Sequence, residues 1–191
     1  MNYLDLKNIL LTDKPSILIK EKENEIFSLI PEFKISKGFN QNNPWHIYDV
    51  YEHILHVVDG VSNNIIVRLA ALFHDMGKPY LYTEDENGVG HFRGHWIKSQ
   101  ELFLKYANSF DLSDNEIDLI SKIIFYHDIR NLDSKLTKEE QIALINSFGI
   151  DGINKLYEIK KADLLAQNEK YHYMLKDLMA EKQKMLELEK E

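Results

Sequence analysis

The chain has 191 residues, 44% of them apolar and 28% charged, with a formal net charge of −8, which accommodates one domain of ordinary size with a real core, alone or with an appendage. It has no cysteine, which excludes disulfides, thiolate metal sites and cysteine nucleophiles together, so any metal must be held by imidazole and carboxylate. The acidic balance argues against coating nucleic acid, whose affinity comes from phosphate neutralisation by Lys and Arg, while leaving room for a small basic pocket.

The N-terminal Met1-Asn2-Tyr3-Leu4-Asp5 lacks a basic-then-apolar signal pattern, and no apolar run is long enough to span a bilayer. The expected location is the cytoplasm, with no membrane partner. Residues 1–40 read as a helical segment, with short helices over 4–11 and 23–30 separated by Asp13-Lys14-Pro15 and followed by Pro31 and Gly38. Asn40-Gln41-Asn42-Asn43-Pro44 is turn chemistry and leads into Trp45-His46. From Asp49, which can cap it, a helix is marked by Val50, Ile54, Val57, Val58 and Val61; it carries His53 and His56, about one turn apart.

The next helix, over 67–79, is the one the chain is organised around. Leu69, Leu72 and Phe73 recur at the spacing of one buried face, and it ends in His74-Asp75-Met76-Gly77-Lys78-Pro79. Gly77 and Pro79 should stop it just past the His-Asp pair, leaving both side chains free to turn toward one ion. Taken alone, such a pair is more often a core histidine beside a helix-terminal aspartate.

Residues 82–95, without apolar periodicity, read as a loop or short hairpin over the site. A helix over 97–110 should bury Leu102, Phe103 and Tyr106. Ser113 and Glu116 form a capping box for a helix reaching His127, and Thr137 and Glu140 form another for 142–148. A helix over 153–166 closes the globular part. Residues 168–191 read as a Lys/Glu-rich, solvated terminal helix, whose stripe of Tyr171, Leu175, Leu178 and Met185 could pair two chains into a homodimer if it finds no core. With no convincing β-run, the expected fold is all-α: a helical segment over 1–40, a domain over 41–168 and a C-terminal helix over 169–191.

Six imidazoles and carboxylates fall at helix ends or on apolar faces: His53, His74, Asp75, His95, His127 and Asp163. Asp163 sits among apolar neighbours in Ala162-Asp163-Leu164-Leu165-Ala166, where an unpaired buried carboxylate would cost several kcal/mol, and a cation is the simplest compensation. Four imidazoles and two carboxylates suit one or two divalent ions, one carboxylate bridging, with Fe, Mn, Zn or Ni favoured over Mg.

His53 after Tyr48-Asp49-Val50-Tyr51-Glu52, then His74-Asp75, then Asp163 in Ala162-Asp163-Leu164-Leu165-Ala166-Gln167 resembles the HD-domain superfamily of metal-dependent phosphohydrolases. The runs Asn43-Pro44-Trp45-His46, His74-Asp75-Met76-Gly77-Lys78-Pro79, Gly90-His91-Phe92-Arg93-Gly94-His95 and Tyr126-His127-Asp128 resemble more closely the HD region of bacterial tRNA nucleotidyltransferases and poly(A) polymerases. No glycine here precedes a serine, so the Gly-Ser motif of their polymerase head is missing and nucleotide addition is not expected. The resemblance implies an HD-type helical bundle in which His53, His74, Asp75 and Asp163 hold one ion, with His95 and His127 holding a second through a bridging Asp75.

Around that cluster, Asp75, Lys78 and Asp128 are the catalytic candidates. Lys78 and Arg93 can meet a phosphate, with His46 beside them on the substrate side; Lys78 is equally explained as a cation at a helix C-terminus. His46 and His56 also read as packing groups, and Trp45, Tyr51 and Phe92 as core or rim aromatics before base-stacking ones. The expected function is hydrolysis of a small-molecule phosphate ester, a nucleotide or an RNA end. The alternatives are a non-catalytic nucleotide- or RNA-binding module and a structural domain with a vestigial site.

Overall fold

The computed structural model describes residues 1–129 and 132–188, and these form an all-α bundle with one two-stranded hairpin. Helix α1 (Tyr3–Leu10) opens on a capping box in which Asn2 and Asp5 exchange side-chain and backbone hydrogen bonds. Helices α2 (Pro15–Glu21), α3 (Glu23–Leu29) and α4 (Pro31–Ser36) follow. The prolines expected to separate helices instead begin them: Pro15 and Pro31 occupy first turns, where an N–H would have no intrahelical partner anyway.

Helix α5 (Val50–Gly60) starts on the expected cap, with Asp49 accepting from the Glu52 amide at 2.7 Å. The central helix, α6 (Ile65–Phe73), is capped by Asn64 and buried from Ile66 onward, against α1 and α5 on one hand and later helices on the other. It is shorter than the expected 67–79 at its end. The last i→i−4 bond is His74 N–H to the Ala70 carbonyl, after which Met76 and Lys78 donate only three residues back, to Phe73 and Asp75. The chain thus tightens into a 3-10 turn at Lys78–Tyr80, and His74 and Asp75 sit where the helix changes pitch.

One charge is buried within this apolar helix. Arg68 reaches back to the end of α5, Nη1 donating to the Val58 carbonyl at 2.5 Å and Nε to that of Ser62 at 3.0 Å. The Val58 carbonyl is one that a helix end otherwise leaves orphaned.

The segment expected as a loop or hairpin forms strands β1 (Thr83–Glu84) and β2 (Gly90–His91), antiparallel. The Gly90 amide donates to the Asn42 carbonyl at 2.8 Å, tying the hairpin to the turn before α5. Helix α7 (His95–Tyr106) buries Leu102, Phe103 and Tyr106 as read, and α8 (Asp114–Tyr126) opens on the Ser113/Glu116 box. After the short α9 (Leu132–Lys135), α10 (Lys138–Leu165) opens on the Thr137/Glu140 box and kinks at Gly149, at φ 64° and ψ 167°. That kink is why the periodicity reads as two helices.

The terminal helix is solvated on one face and packed on the other. After a 3-10 turn over Glu169–Met174, α11 (Leu175–Leu188) lies on α10. Met185 is fully buried, and Glu181 accepts from the Leu132 amide at 3.0 Å and the Tyr157 hydroxyl at 2.8 Å. Among the described residues, no helix is long and apolar enough to cross a membrane.

Candidate metal centre

Five helices bring their polar residues to one buried place. His53 comes from α5, His74 and Asp75 from the turn ending α6, His95 from the first position of α7, His127 from the end of α8 and Asp163 from α10. All but Asp163 are nearly inaccessible, and its side chain is only 14% exposed.

Three of the imidazoles are oriented by the same local device. Nδ1 of His74 lies 2.7 Å from the Ala71 carbonyl, that of His95 2.8 Å from Phe92, and that of His127 2.6 Å from Ile124, each three residues back. A carbonyl only accepts, so Nδ1 carries the proton and Nε2 of the neutral ring is left as a lone pair. Those lone pairs converge. Nε2 of His74 is 3.4 Å from Nε2 of His53, and Nε2 of His95 is 3.2 Å from that of His127.

Asp75 divides them into two sets. Its Oδ2 is 3.2 Å from both His53 and His74, while its Oδ1 is 3.1 Å from His95 and 3.6 Å from His127. Asp163 Oδ1 completes the first set, 3.0 Å from His53 Nε2. In the groups His53, His74, Asp75, Asp163 and Asp75, His95, His127, one donor atom per residue lies within 4.8 Å of all the others. Asp75 Oδ2 is paired with the Lys78 ammonium at 2.6 Å, but Oδ1 faces only the imidazole nitrogens of His95 and His127, and packing lone pairs against a carboxylate out of water is costly without a further cation between them. The donor set therefore fits one or two divalent cations, with Asp75 shared.

The titration of the cluster follows the same logic. Burial opposes charge on His53, but Asp163 and Asp75 overcome it and raise the ring; on His127, Asp75 does likewise. On His74 burial prevails and the pKa falls. Burial would push both carboxylates up, yet His74 and Lys78 hold Asp75, and His53 holds Asp163, below the ordinary carboxylate range.

Lys78 is largely buried and held by its neighbours while still lining the cavity beside the cluster. Its ammonium is 2.6 Å from Asp75 Oδ2, donates to Gln41 Oε1 at 2.8 Å and meets His46 Nε2 at 3.2 Å. His46 accepts there because its Nδ1 is engaged by Asn43 Oδ1 at 2.8 Å. Burial and then Lys78 keep the His46 ring well below its ordinary pKa. Arg93 differs: it is exposed, and no described residue pairs with it. Together with His46, Lys78 and Asp128 it lines a cavity of about 290 Å³ that opens on Asp75, His95 and His127. A second cavity, of about 100 Å³, lies toward α11 and shares His127, Asp128, Asp163 and Gln167 with the first.

His56 lies apart from the cluster, stacked on Tyr48 with ring centroids 4.1 Å apart. Tyr51 is a core residue packed on Phe27 and Phe33. Gln41 and Gln167 were not singled out. Gln167 stands one helical turn past Asp163, a spacing that marks neighbours, whereas nothing in the turn sequence around Gln41 announces its contact with Lys78.

Comparison with curated proteins returned no match. A family model described as HD domain matches residues 45–189, the greater part of the chain and all six converging side chains. The chain belongs to the HD domain family.

Proposed function

We propose that the chain is a metal-dependent phosphohydrolase that cleaves a phosphomonoester or phosphodiester on a nucleotide or an RNA end, with His53, His74, Asp75, Asp163, His95 and His127 holding one or two divalent ions. The observation that carries this reading is the buried Asp75 carboxylate, shared by two groups of imidazole and carboxylate donor atoms that each converge within 4.8 Å. HD domains bind divalent metals and are generally hydrolases, and the likeness of the sequence to the HD region of tRNA nucleotidyltransferases and poly(A) polymerases supports a nucleotide or RNA end.

A divalent ion in this setting supplies Lewis acidity toward water and phosphoryl oxygen. The protein's own groups do the rest. The carbonyls behind His74, His95 and His127 fix the rings before any ligand arrives, so no reorientation is needed at the moment of reaction. Lys78, locked by Gln41 and His46, neutralises Asp75 and holds its carboxylate in place. Arg93 has a free fork for a phosphate. In hydrolysis water adds to phosphorus as the ester P–O bond breaks, and the proton the water loses is regained by the leaving oxygen. Asp128 lines the cavity beside His127, and in this reading it carries that proton.

The test is turnover of p-nitrophenyl phosphate, bis(p-nitrophenyl) phosphate and a panel of nucleotides by protein loaded with Mn, Fe, Zn, Ni or Mg. The expected result is metal-dependent hydrolysis that disappears in Asp75→Asn. A loaded protein that hydrolyses none of them overturns the reading. Nucleotide binding without turnover would then favour a binding module, and failure to retain metal at all a vestigial site.

A further inference from the structure

The chain has two tryptophans, and both line the cavity that opens on Asp75, His95 and His127. They arrive from unconnected segments: Trp45 from the turn ahead of α5, Trp96 from the first turn of α7. Neither is used up in the core, Trp45 being 36% exposed and Trp96 half-buried. Both are nevertheless held. The Asn168 amide donates to the Trp45 carbonyl at 2.8 Å, with the Tyr171 ring 6.3 Å away, and Trp96 meets His95 edge to face at 5.5 Å.

A partly exposed indole that lines a cavity keeps a flat face open, and that face suits another planar ring. Phe92 adds a third aromatic to the lining, and its neighbour Arg93 is the cation no described residue pairs with. The cavity thus combines aromatic faces with a free guanidinium and the imidazole-carboxylate cluster. Its volume of about 290 Å³ lies at the small end of ligand pockets, room for one nucleotide rather than a stacked run.

We propose that the substrate is a single nucleoside phosphate, or the last nucleotide of a chain, whose base stacks on Trp45 and Trp96 while its phosphate lies against Arg93 and the cluster around Asp75. The phosphate half rests on the phosphohydrolase reading above; the base half rests on the tryptophans alone. Every base has a π-face, so recognition by stacking accepts purines and pyrimidines and discriminates chiefly against phosphates that carry no base.

Because the chain has no other tryptophan, its indole fluorescence reports only on this cavity. Adenosine, uridine and ribose, none of which contains a phosphate ester, are titrated against the wild-type protein while emission is followed. Saturable change with both nucleosides and none with ribose is expected. Trp45→Leu and Trp96→Leu should each weaken nucleoside binding roughly tenfold, and Trp45→Phe and Trp96→Phe should retain binding while each leaves one indole to report it. The Phe variants keep the test intact should a Leu variant fail to fold.

Unchanged emission at millimolar nucleoside in a protein that hydrolyses p-nitrophenyl phosphate overturns the base-stacking assignment and leaves the phosphohydrolase reading standing. Saturable nucleoside binding in a loaded protein that hydrolyses no ester does the reverse.

Discussion

The side-chain amide of Gln167 donates to Asp163 Oδ1 across 3.2 Å. A carboxylate only accepts, so the amide is fixed with its N–H toward Asp163 and its Oε1 turned away, and that oxygen is buried without a partner. Asp163 must reach from α10 to His53 on α5, and Gln167, itself only 4% exposed, holds it at that reach. Groups that orient a ligating carboxylate commonly set metal affinity by 10–100-fold. Gln167→Leu should therefore weaken divalent-ion binding by about that factor in calorimetric titration, with cooperative unfolding of the metal-free protein preserved. Unchanged affinity would mean that Asp163 needs no such support.

Gly77 follows the His-Asp pair with φ −75° and ψ −18°, angles open to any residue. What it lacks is room. A Cβ there would lie 2.7 Å from the Ser99 amide nitrogen and closer still to the His95 carbonyl oxygen, while the Gly77 amide donates to Ser99 Oγ at 2.9 Å. The turn carrying His74 and Asp75 is thus pressed directly on the helix start that carries His95. Gly77→Ala should cost about 1–3 kcal/mol, as overpacking of a close-packed interior does, and separate the two halves of the cluster. A lower Tm together with weaker metal binding is the expected pair of readouts, and an unchanged Tm would count against it.

Arg68 is the only fixed link the described side chains make between the middle of α6 and the carbonyls ending α5. Arg68→Leu keeps the apolar stem but removes the donors to the Val58 and Ser62 carbonyls, of which Ser62 keeps the Asn64 amide at 2.8 Å. Hydrogen bonds to a charged donor are worth about 1.5–3 kcal/mol, so a loss near the upper end of that range is expected in urea unfolding. Since His53 lies on α5 and His74 just beyond α6, the loss should propagate to the cluster.

Features set by neighbours in sequence were the legible ones. The Ser113/Glu116 and Thr137/Glu140 boxes span three residues, the hairpin over 82–95 is signalled by its own glycines, and the burial of Asp163 follows from the apolar residues flanking it. Features set by distant partners were not. Lys78 reads as a free cation, yet it is closed in by Gln41 and His46, 37 and 32 residues away. Gly77 reads as a helix stop, and only the approach of α7 reveals the spatial demand. Pro15 and Pro31 were misread for another reason: proline ends one helix and begins the next with the same letter, and the first turns behind them were too short for periodicity to decide.

Glu32 ties the N-terminal segment to α7, accepting from the Lys105 ammonium and the Tyr106 hydroxyl. Burial would raise its pKa, but those two donors outweigh it and hold it below its ordinary value of 4.5. The unfolded chain therefore binds the proton more readily, so the pair's stabilisation is fully present above about pH 4.5 and is lost as the pH falls through the folded value. Thermal unfolding between pH 6 and pH 3 should show an acid limb that flattens in Glu32→Gln. An identical limb in the variant would place the acid sensitivity elsewhere.

A ligand that binds only the folded state adds RT ln(1 + [L]/Kd) to stability, about 2.7 kcal/mol at a hundredfold excess over Kd. The cluster draws on α5, the end of α6, the start of α7, the end of α8, and α10, so an ion held there joins elements remote in sequence and is absent from the unfolded chain. Wild-type protein should gain Tm as Mn or Zn is added and lose it with a chelator. Asp75 is common to both donor groups, so Asp75→Asn should abolish most of that gain, whereas His95→Ala, which touches only the second group, should leave a part that saturates separately. A metal-induced rise in Tm that survives Asp75→Asn intact would show that the ion binds elsewhere.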